Sequence, residues 1–154
     1  RKRYRASDEQ EVDLHICISH YKRRKISQKR QEDAATGKDC IAIPEADDPG
    51  FPCFVGTRLV GNSTSGKFVN GGRYTITSLR PLRVEDNVGV SFETTPEQIS
   101  KTCILAWALT YQKVQGITEE GTVMLHGLES KYFKKSHLYV GLSRVTNGCN
   151  VYVE

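Results

Sequence analysis

The sequence has no long apolar run and no cysteine pairs of the kind that build metal or disulfide sites. Its longest uninterrupted apolar stretch is the seven residues from Cys103 to Leu109, whereas a membrane-spanning helix needs about 20. A membrane-spanning helix is therefore excluded. The five cysteines are odd in number and none belongs to a Cys-x2-Cys pair, so no disulfide framework, zinc knuckle or other metal site is expected. We predict reduced thiols in an intracellular protein of the cytoplasm or nucleus.

The sequence also has no leading methionine, no secretory leader and no phosphate-binding loop. It begins at Arg1, and its first five residues contain no apolar stretch, so we expect a piece of a longer polypeptide. No segment matches the G-x-x-x-x-G-K-[ST] loop that binds nucleoside triphosphates. The nearest segment, residues 61–68, has Phe68 where a Ser or Thr must hold magnesium. We therefore expect any such loop to precede Arg1.

Positive charge is concentrated in the first fifth of the chain. The 154 residues are 38% hydrophobic and 26% charged, which suits one domain, or one with a small insert, that buries a core. Residues 1–33 hold ten Lys/Arg and six Asp/Glu, whereas residues 34–154 hold twelve of each. Basic clusters of this kind attract phosphate backbones. From charge alone, a solvated helix face is the simpler explanation.

The hydrophobic pattern predicts an α/β core that is interrupted by β structure. Val12 to Ser19 alternates apolar and polar residues as a strand does, and residues 20–35 are helix formers followed by Gly37. The next predictions are a loop over 36–52 with at most a short strand at 41–43, and antiparallel strands near 55–60, 73–79 and 88–93. A doubly buried strand over 102–109 follows, and Thr110 caps a short helix after it. The last predicted elements are a strand over 123–125, a helix that is capped by Ser136 and runs through Arg144, and a strand over 150–153. This order favours a largely parallel sheet with a hairpin or miniature barrel inserted.

Two segments resemble conserved motifs of a known protein family. Residues 106–118, AWALTYQKVQGIT, resemble motif V of superfamily-one helicases in the PIF and RecD-like branch, which reads A-x-T-x-H-K-x-Q-G-x-T. Residues 137–146, HLYVGLSRVT, resemble motif VI, usually Y-V-A-L-S-R. Cys17 to Ser19 is similar to motif IV, and residues 55–71 are similar to the family's G-x-x-V…N…L-x-N-G stretch. The two main motifs occur in the family's order, and the two weaker similarities extend the resemblance to nearly the whole chain.

The resemblance implies the second, C-terminal RecA-like domain of such a helicase. Its fold is an α/β parallel sheet flanked by helices, with a small antiparallel insert that is either a hairpin or a reduced Src-homology-type barrel. We accordingly predict residues 1–74 as the first part of the RecA-like domain, 75–101 as the β insert and 102–154 as the second part. The resemblance also implies ATP and Mg²⁺, held mainly by a first RecA-like domain that would precede Arg1.

Three residues are predicted to face the nucleotide. ATP hydrolysis concentrates negative charge on the transferred phosphoryl group, and a guanidinium donated by a second domain stabilises that charge. Arg144 is the candidate for this catalytic arginine finger, and a surface ion pair is the simpler alternative. Gln115 and Gly116 are predicted to open a helix at the nucleotide cleft, although a plain helix C-cap would also explain Gly116.

Six residues are predicted to contact single-stranded DNA. Open α/β sheets bind ligands at the carboxyl ends of their strands, and hydroxyl and ammonium groups suit phosphate oxygens. The resemblance assigns Thr110 and the residues after it, Tyr111, Gln112 and Lys113, to DNA. Ser19 and His20, at the end of the strand that resembles motif IV, are further candidates, and a plain surface histidine is the simpler alternative for His20. Gln112 departs from the family's His, which excludes a protonated imidazole at this position. Among the aromatic residues, we expect Tyr111 to be exposed and Trp107 and Tyr139 to pack between sheet and helix.

The predicted function is therefore that of the C-terminal motor domain of an ATP-dependent DNA helicase that moves 5′ to 3′. The expected partners are single-stranded DNA, the N-terminal RecA-like domain of the same protein, and replication or repair proteins. This chain alone is expected not to hydrolyse ATP, because it contains no phosphate-binding loop. Two alternatives stay open: a non-catalytic nucleic-acid-binding module, and a superfamily-one RNA helicase of viral type.

Overall fold

The structure, a computed structural model, describes residues 12–45, 48–117, 121–144 and 151–153. Its elements, in chain order, are β1 (Leu14–Cys17), α1 (His20–Ala35), β2 (Ile41–Glu45), β3 (Asp48–Cys53), β4 (Arg58–Gly61), β5 (Arg73–Leu79), β6 (Leu82–Asp86), β7 (Ser91–Glu93), α2 (Pro96–Thr102), β8 (Cys103–Leu105), β9 (Ala108–Thr110), β10 (Val123–Leu125), α3 (Lys135–Leu142) and β11 (Val151–Val153). No helix among these residues is long and apolar enough to cross a membrane.

The described residues form two compact units. One unit contains the residues up to Ile26 and those from Trp107 onward. Its centre is a four-stranded parallel sheet in the order β11-β10-β1-β9. All four residues of β1 are buried, including His15 and Cys17, so this strand is covered on both faces, as strands of parallel sheets are.

The other unit, from Ser27 to Ala106, is built from antiparallel strands. Five of them pair in the order β7-β6-β5-β4-β8, and β2 pairs with β3 in a separate two-stranded sheet. Its core contains three aromatic rings packed edge to face, Phe68, Tyr74 and Phe92, with centroids 4.8 to 6.1 Å apart. The predicted α/β class, with a parallel sheet and a small antiparallel part, is confirmed.

The apolar run of residues 102–109 is not the single strand that was predicted. Its first part is β8, which pairs with β4 of the antiparallel sheet, and its second part is β9, which pairs with β1 of the parallel sheet. A turn at Ala106 and Trp107 separates the two strands. The run therefore carries the chain from one unit to the other. The predicted domain boundaries at 74/75 and 101/102 stay a prediction.

Three further local predictions differ from the structure. The segment predicted as a loop over 36–52 contains the paired strands β2 and β3, and prolines are tolerated there because both strands of a two-stranded sheet are edges. The helix predicted after Thr110 is absent, because residues 111–116 form turns. The last helix has its N-cap at Lys134, not at Ser136, and it ends at Leu142, not at Arg144.

Candidate functional site

The carboxyl edge of the parallel sheet brings together most of the residues predicted to bind DNA. Strands β1 and β9 run in the same direction, and Cys17 pairs with Thr110 at their ends. The Tyr111 backbone N–H also donates to the Cys17 carbonyl at 3.2 Å. The segments that follow, Ser19–His20 and residues 111–113, therefore leave the sheet at neighbouring points. This edge is where open α/β sheets bind their ligands.

Ser19 has a structural role at the start of α1. Its Oγ accepts a hydrogen bond from the Lys22 backbone N–H at 3.2 Å, and its carbonyl accepts one from the Arg23 N–H at 3.2 Å. This is the geometry of a helix N-cap. Ser19 and His20 are both exposed. The Ser19 hydroxyl proton is not used by the cap, so it can still be donated to a phosphate oxygen.

Thr110 organises the turn that follows β9. Its Oγ1 accepts from the Lys113 N–H at 3.2 Å, and its carbonyl accepts from the N–H groups of Lys113 and Val114 at 3.0 and 3.1 Å. Val114 is buried and anchors the turn, whereas Gln112 is exposed. Burial lowers the pKa of the Lys113 ammonium group from its ordinary value. A bound phosphate would favour the charged form of this lysine.

Tyr111 is buried, and the prediction that it is exposed is wrong. Only 3% of the residue is accessible, and its hydroxyl donates to the His126 carbonyl at 3.1 Å. Its ring packs against those of Phe133 and His137, with centroids 5.7 and 5.3 Å away, and burial raises the pKa of the hydroxyl. A ring held in this way cannot stack on a base. Conversely, Tyr139, which was expected to be packed, is 76% exposed.

A buried histidine pair supports this edge and was missed in the sequence. His15 Nδ1 and His126 Nε2 are 2.8 Å apart, and the two residues are 1% and 2% exposed. His15 lies within β1 and His126 directly follows β10, so the pair joins neighbouring strands. Since the His126 carbonyl holds Tyr111, the pair positions the turn that carries Thr110 and Lys113. The sequence shows the two histidines, but it does not show that β1 and β10 are neighbours, so it could not predict the pair.

A second group of predicted residues meets where the end of α3 contacts the motif V segment. Arg144 Nη1 donates to the Ile117 carbonyl at 3.4 Å, and its Nε and Nη2 donate to Ser143 Oγ at 3.2 and 3.0 Å. Next to Ile117, Gly116 has a φ of +83°, a left-handed conformation that favours glycine. Gln115 and Gly116 are exposed. The guanidinium therefore lies beside an exposed backbone turn, although no helix begins there.

The start of α3 is fixed by residues with no obvious sequence signature. The Lys134 backbone N–H donates to His137 Nδ1 at 3.0 Å, and the His137 N–H donates to the Lys134 carbonyl at 2.9 Å. His137 also packs on Phe133 and Tyr111. Through these contacts His137 positions the helix that leads to Arg144.

No group of three His, Cys, Asp or Glu residues that could hold a metal ion occurs among residues 12–45, 48–117, 121–144 and 151–153.

Comparisons with solved structures identify proteins of the same fold. Bacteroides Pif1 bound to single-stranded DNA is 21% identical, with a TM-score of 0.67 over 99% of this chain and 42% of that chain. Bacteroides Pif1 helicase in complex with ADP-AlF3 and single-stranded DNA is 22% identical, with a TM-score of 0.63 over 92% of this chain and 40% of that one. Pif1 helicase from Candida albicans is 17% identical, with a TM-score of 0.62 over 92% and 44%. No protein-family model and no curated protein matches the sequence.

The chain thus spans about two fifths of the length of these helicases. A likeness at this level of identity shows the fold. The parallel sheet with its helices and the separate antiparallel strands correspond to what motifs V and VI predicted. This chain has the RecA-like α/β fold of the matching part of Pif1 helicases.

Proposed function

We propose that this chain is the second RecA-like motor domain of a superfamily-one DNA helicase of the PIF and RecD-like branch. The observation that carries the proposal is the contact between Arg144 and Ile117, which joins the motif VI arginine to the motif V turn 27 residues away. The shared fold supports it, since Pif1 structures bind ADP-AlF3 and single-stranded DNA. An intracellular location and 5′ to 3′ movement belong to the same proposal.

In the proposed reaction, Arg144 acts on ATP that is bound by a first RecA-like domain. A water oxygen bonds to the γ-phosphorus while the bond from that phosphorus to the bridging oxygen breaks, leaving ADP and phosphate. Negative charge accumulates on the phosphoryl oxygens during this step. The Arg144 guanidinium donates hydrogen bonds to those oxygens and stabilises the charge, because its planar donors suit a phosphoryl group. When bound, Mg²⁺ would neutralise further charge.

The DNA contact belongs to the other group of residues. Lys113, Gln112, Ser19 and His20 lie at the carboxyl edge of the parallel sheet, and Thr110 shapes the turn that presents two of them. These groups can bind phosphate oxygens without reading base sequence. Tyr111 contributes indirectly by packing under the turn. The segment of residues 110–116 thus carries proposed DNA residues at its start and the proposed nucleotide residues Gln115 and Gly116 at its end.

We expect Arg144→Ala in the intact protein to reduce ATP turnover by about a thousandfold or more while leaving affinity for single-stranded DNA nearly unchanged. The matched control is Ser143→Ala, which removes a hydroxyl that touches the guanidinium but keeps the arginine, and which should have a much smaller effect. Steady-state ATP hydrolysis with saturating oligonucleotide measures both. Normal turnover by Arg144→Ala would refute the finger role.

We expect Lys113→Ala combined with Thr110→Ala to do the opposite, weakening DNA binding before it affects nucleotide binding. Thr110→Ser is the control, since it keeps the oxygen that accepts from the Lys113 N–H. Fluorescence anisotropy with a labelled oligonucleotide at low salt measures the change. Equal affinity of the double variant and the wild type would remove this turn from the DNA surface.

The alternatives give different outcomes in the same assays. Salt-dependent nucleic-acid binding by an intact protein that does not hydrolyse ATP would favour a non-catalytic module. Stronger stimulation of ATP hydrolysis by RNA than by DNA would favour an RNA helicase. The basic residues of α1 fit all three classes, so the ATPase assay is the decisive one.

A further inference from the structure

The first two turns of α1 expose an aromatic ring among positive charges. Tyr21 is 68% exposed. Arg24 and Lys25 are exposed as well, and Lys25 Nζ lies 4.8 Å from the centroid of the Tyr21 ring. Residues three and four apart share a helix face. Tyr21, Arg24 and Lys25 therefore form one surface, here called the α1 patch.

The α1 patch keeps its positive charge. Within the described part of the chain, neither Arg24 nor Lys25 forms an ion pair with a carboxylate, and the first turn of α1 contains no acidic residue. The acidic residues of the helix, Glu32 and Asp33, follow two turns later. Exposed cations are ordinary on a solvated helix face, but an exposed tyrosine ring does not help to solvate the helix. Cations around an accessible ring are the combination that binds single strands, because every base has a face that can stack.

The position of the α1 patch joins it to the proposed DNA site. Helix α1 begins at His20, three residues after β1 ends at the carboxyl edge of the parallel sheet. Tyr21 is thus the direct chain neighbour of the predicted DNA residues Ser19 and His20, and all of them belong to the same unit. A single DNA strand that is bound along this edge therefore reaches the α1 patch within the same unit.

We propose that the α1 patch is a further contact for single-stranded DNA, in which Tyr21 stacks on a base and Arg24 and Lys25 bind the flanking phosphates. This inference rests on the proposed function, because it extends the same binding surface by one to two nucleotides. Lys25 lies over the ring in the free protein and moves to a phosphate when a base arrives. The contact is indifferent to base identity, since stacking and phosphate binding carry no sequence code.

The test measures affinity of the intact protein for a labelled oligothymidine of about 12 nucleotides. We expect Tyr21→Ala to weaken binding about tenfold and Tyr21→Phe to bind like the wild type, because phenylalanine keeps the ring. Arg24→Gln with Lys25→Gln should weaken binding and reduce the slope of log K against log salt concentration by about 1.4, or about 0.7 for each phosphate that is no longer neutralised. Lys67→Gln with Lys101→Gln removes the same charge from exposed lysines elsewhere and should change the slope little.

A 2-aminopurine base placed along the oligonucleotide gives a readout that a merely structural role would not move. Its fluorescence should be quenched by the wild type and by Tyr21→Phe at one position, and not by Tyr21→Ala. Unchanged affinity and quenching in Tyr21→Ala would overturn the inference while the proposed function stands. A Tyr21→Ala variant that loses affinity for duplex DNA but not for single-stranded DNA would overturn the inference too. Failure of the wild type to bind any single strand would overturn both.

Discussion

Gly141, which has no side chain, lies where α3 packs against Leu125 of the parallel sheet. Gly141 is buried, and a Cβ placed there would lie 2.7 Å from Leu125 Cδ2 and 3.3 Å from Tyr111 Cε1. The motif that this segment resembles usually has alanine at this position, so glycine is a departure from that pattern. Leu125 is fully buried and occupies the space that the alanine methyl would need. The departure is explained by the neighbour, which lies 16 residues earlier in the sequence.

Substitution Gly141→Ala should lower the free energy of unfolding. Alanine is favoured in a helix by about 1 kcal/mol, but crowding in a packed core costs about 1 to 3 kcal/mol. Combining it with Leu125→Val should recover about 0.5 kcal/mol or more relative to the sum of the single changes. Urea denaturation of the four proteins measures this coupling. The control is Gly141→Ala combined with Ile99→Val, a core position of the other unit, where the losses in free energy of unfolding should simply add. Additive losses for Gly141→Ala and Leu125→Val would contradict the explanation.

At the scale of elements, helix α2 begins with a local signature that can be read from the sequence. Thr95 is the N-cap, with extended backbone angles, and its Oγ1 accepts from the Gln98 N–H at 3.2 Å. Pro96 follows at the first helical position, where its missing N–H costs nothing. Residues 95–98, Thr-Pro-Glu-Gln, therefore match the pattern of a helix N-terminus. The glycine-rich, strand-like character of the preceding 40 or so residues concealed it.

Substitution Thr95→Ala should lower the free energy of unfolding by about 1 kcal/mol, because the Gln98 N–H loses its acceptor. Thr95→Ser keeps the oxygen and should be nearly neutral. Thr94→Val is the adjacent control, since the buried Thr94 Oγ1 has no hydrogen-bond partner in the described structure, and it should not destabilise. Thermal or urea unfolding followed by circular dichroism measures all three. Equal losses at Thr94 and Thr95 would show that the cap is not responsible.

At the scale of the whole molecule, each of the two units buries free thiols. Cys17 lies in the unit of the parallel sheet, and Cys53 and Cys103 lie in the other. Burial raises the pKa of both Cys53 and Cys103 to about 11. Cys40 is half-buried. A thiol with a raised pKa reacts slowly near neutral pH, because only the thiolate is nucleophilic.

We expect stability to fall as pH rises from about 9 to about 11. In that range the unfolded chain releases thiol protons that the folded protein retains, so the stabilising contribution is complete below the unfolded pKa and is lost above it. The measurement is the free energy of unfolding at about pH 8 and pH 10.5, with Cys53→Ala expected to show a shallower decline. Alkylation of the native protein near pH 8, followed by peptide mapping, should modify Cys40 well before Cys17, Cys53 and Cys103. Faster labelling at Cys53 than at Cys40 would contradict its burial.

Much of the fold and part of the candidate site could be predicted from local patterns. The alternation in β1 and the helix formers of α1 predicted those two elements, and Thr110 was correctly placed at the end of a buried strand. Lys113, however, lies in a turn where a helix was predicted, and Arg144 lies beyond the end of α3. The exposure of Tyr111 could not be predicted, because it depends on Phe133, His137 and the His126 carbonyl. A tyrosine in a turn is amphipathic, and only its neighbours decide which side is covered.

The sequence by itself determined the α/β class, the location of positive charge and the residues with chemistry suited to phosphate. These properties depend on residue type and on spacing along the chain. Tertiary structure alone decided that the apolar run of residues 102–109 divides between two sheets, that His15 pairs with His126, and that Arg144 meets the motif V turn. An apolar residue can be buried in either sheet, and a polar residue can form a hydrogen bond with any donor or acceptor of the right type. Which partner it meets depends on pairings between distant segments, which local pattern does not encode.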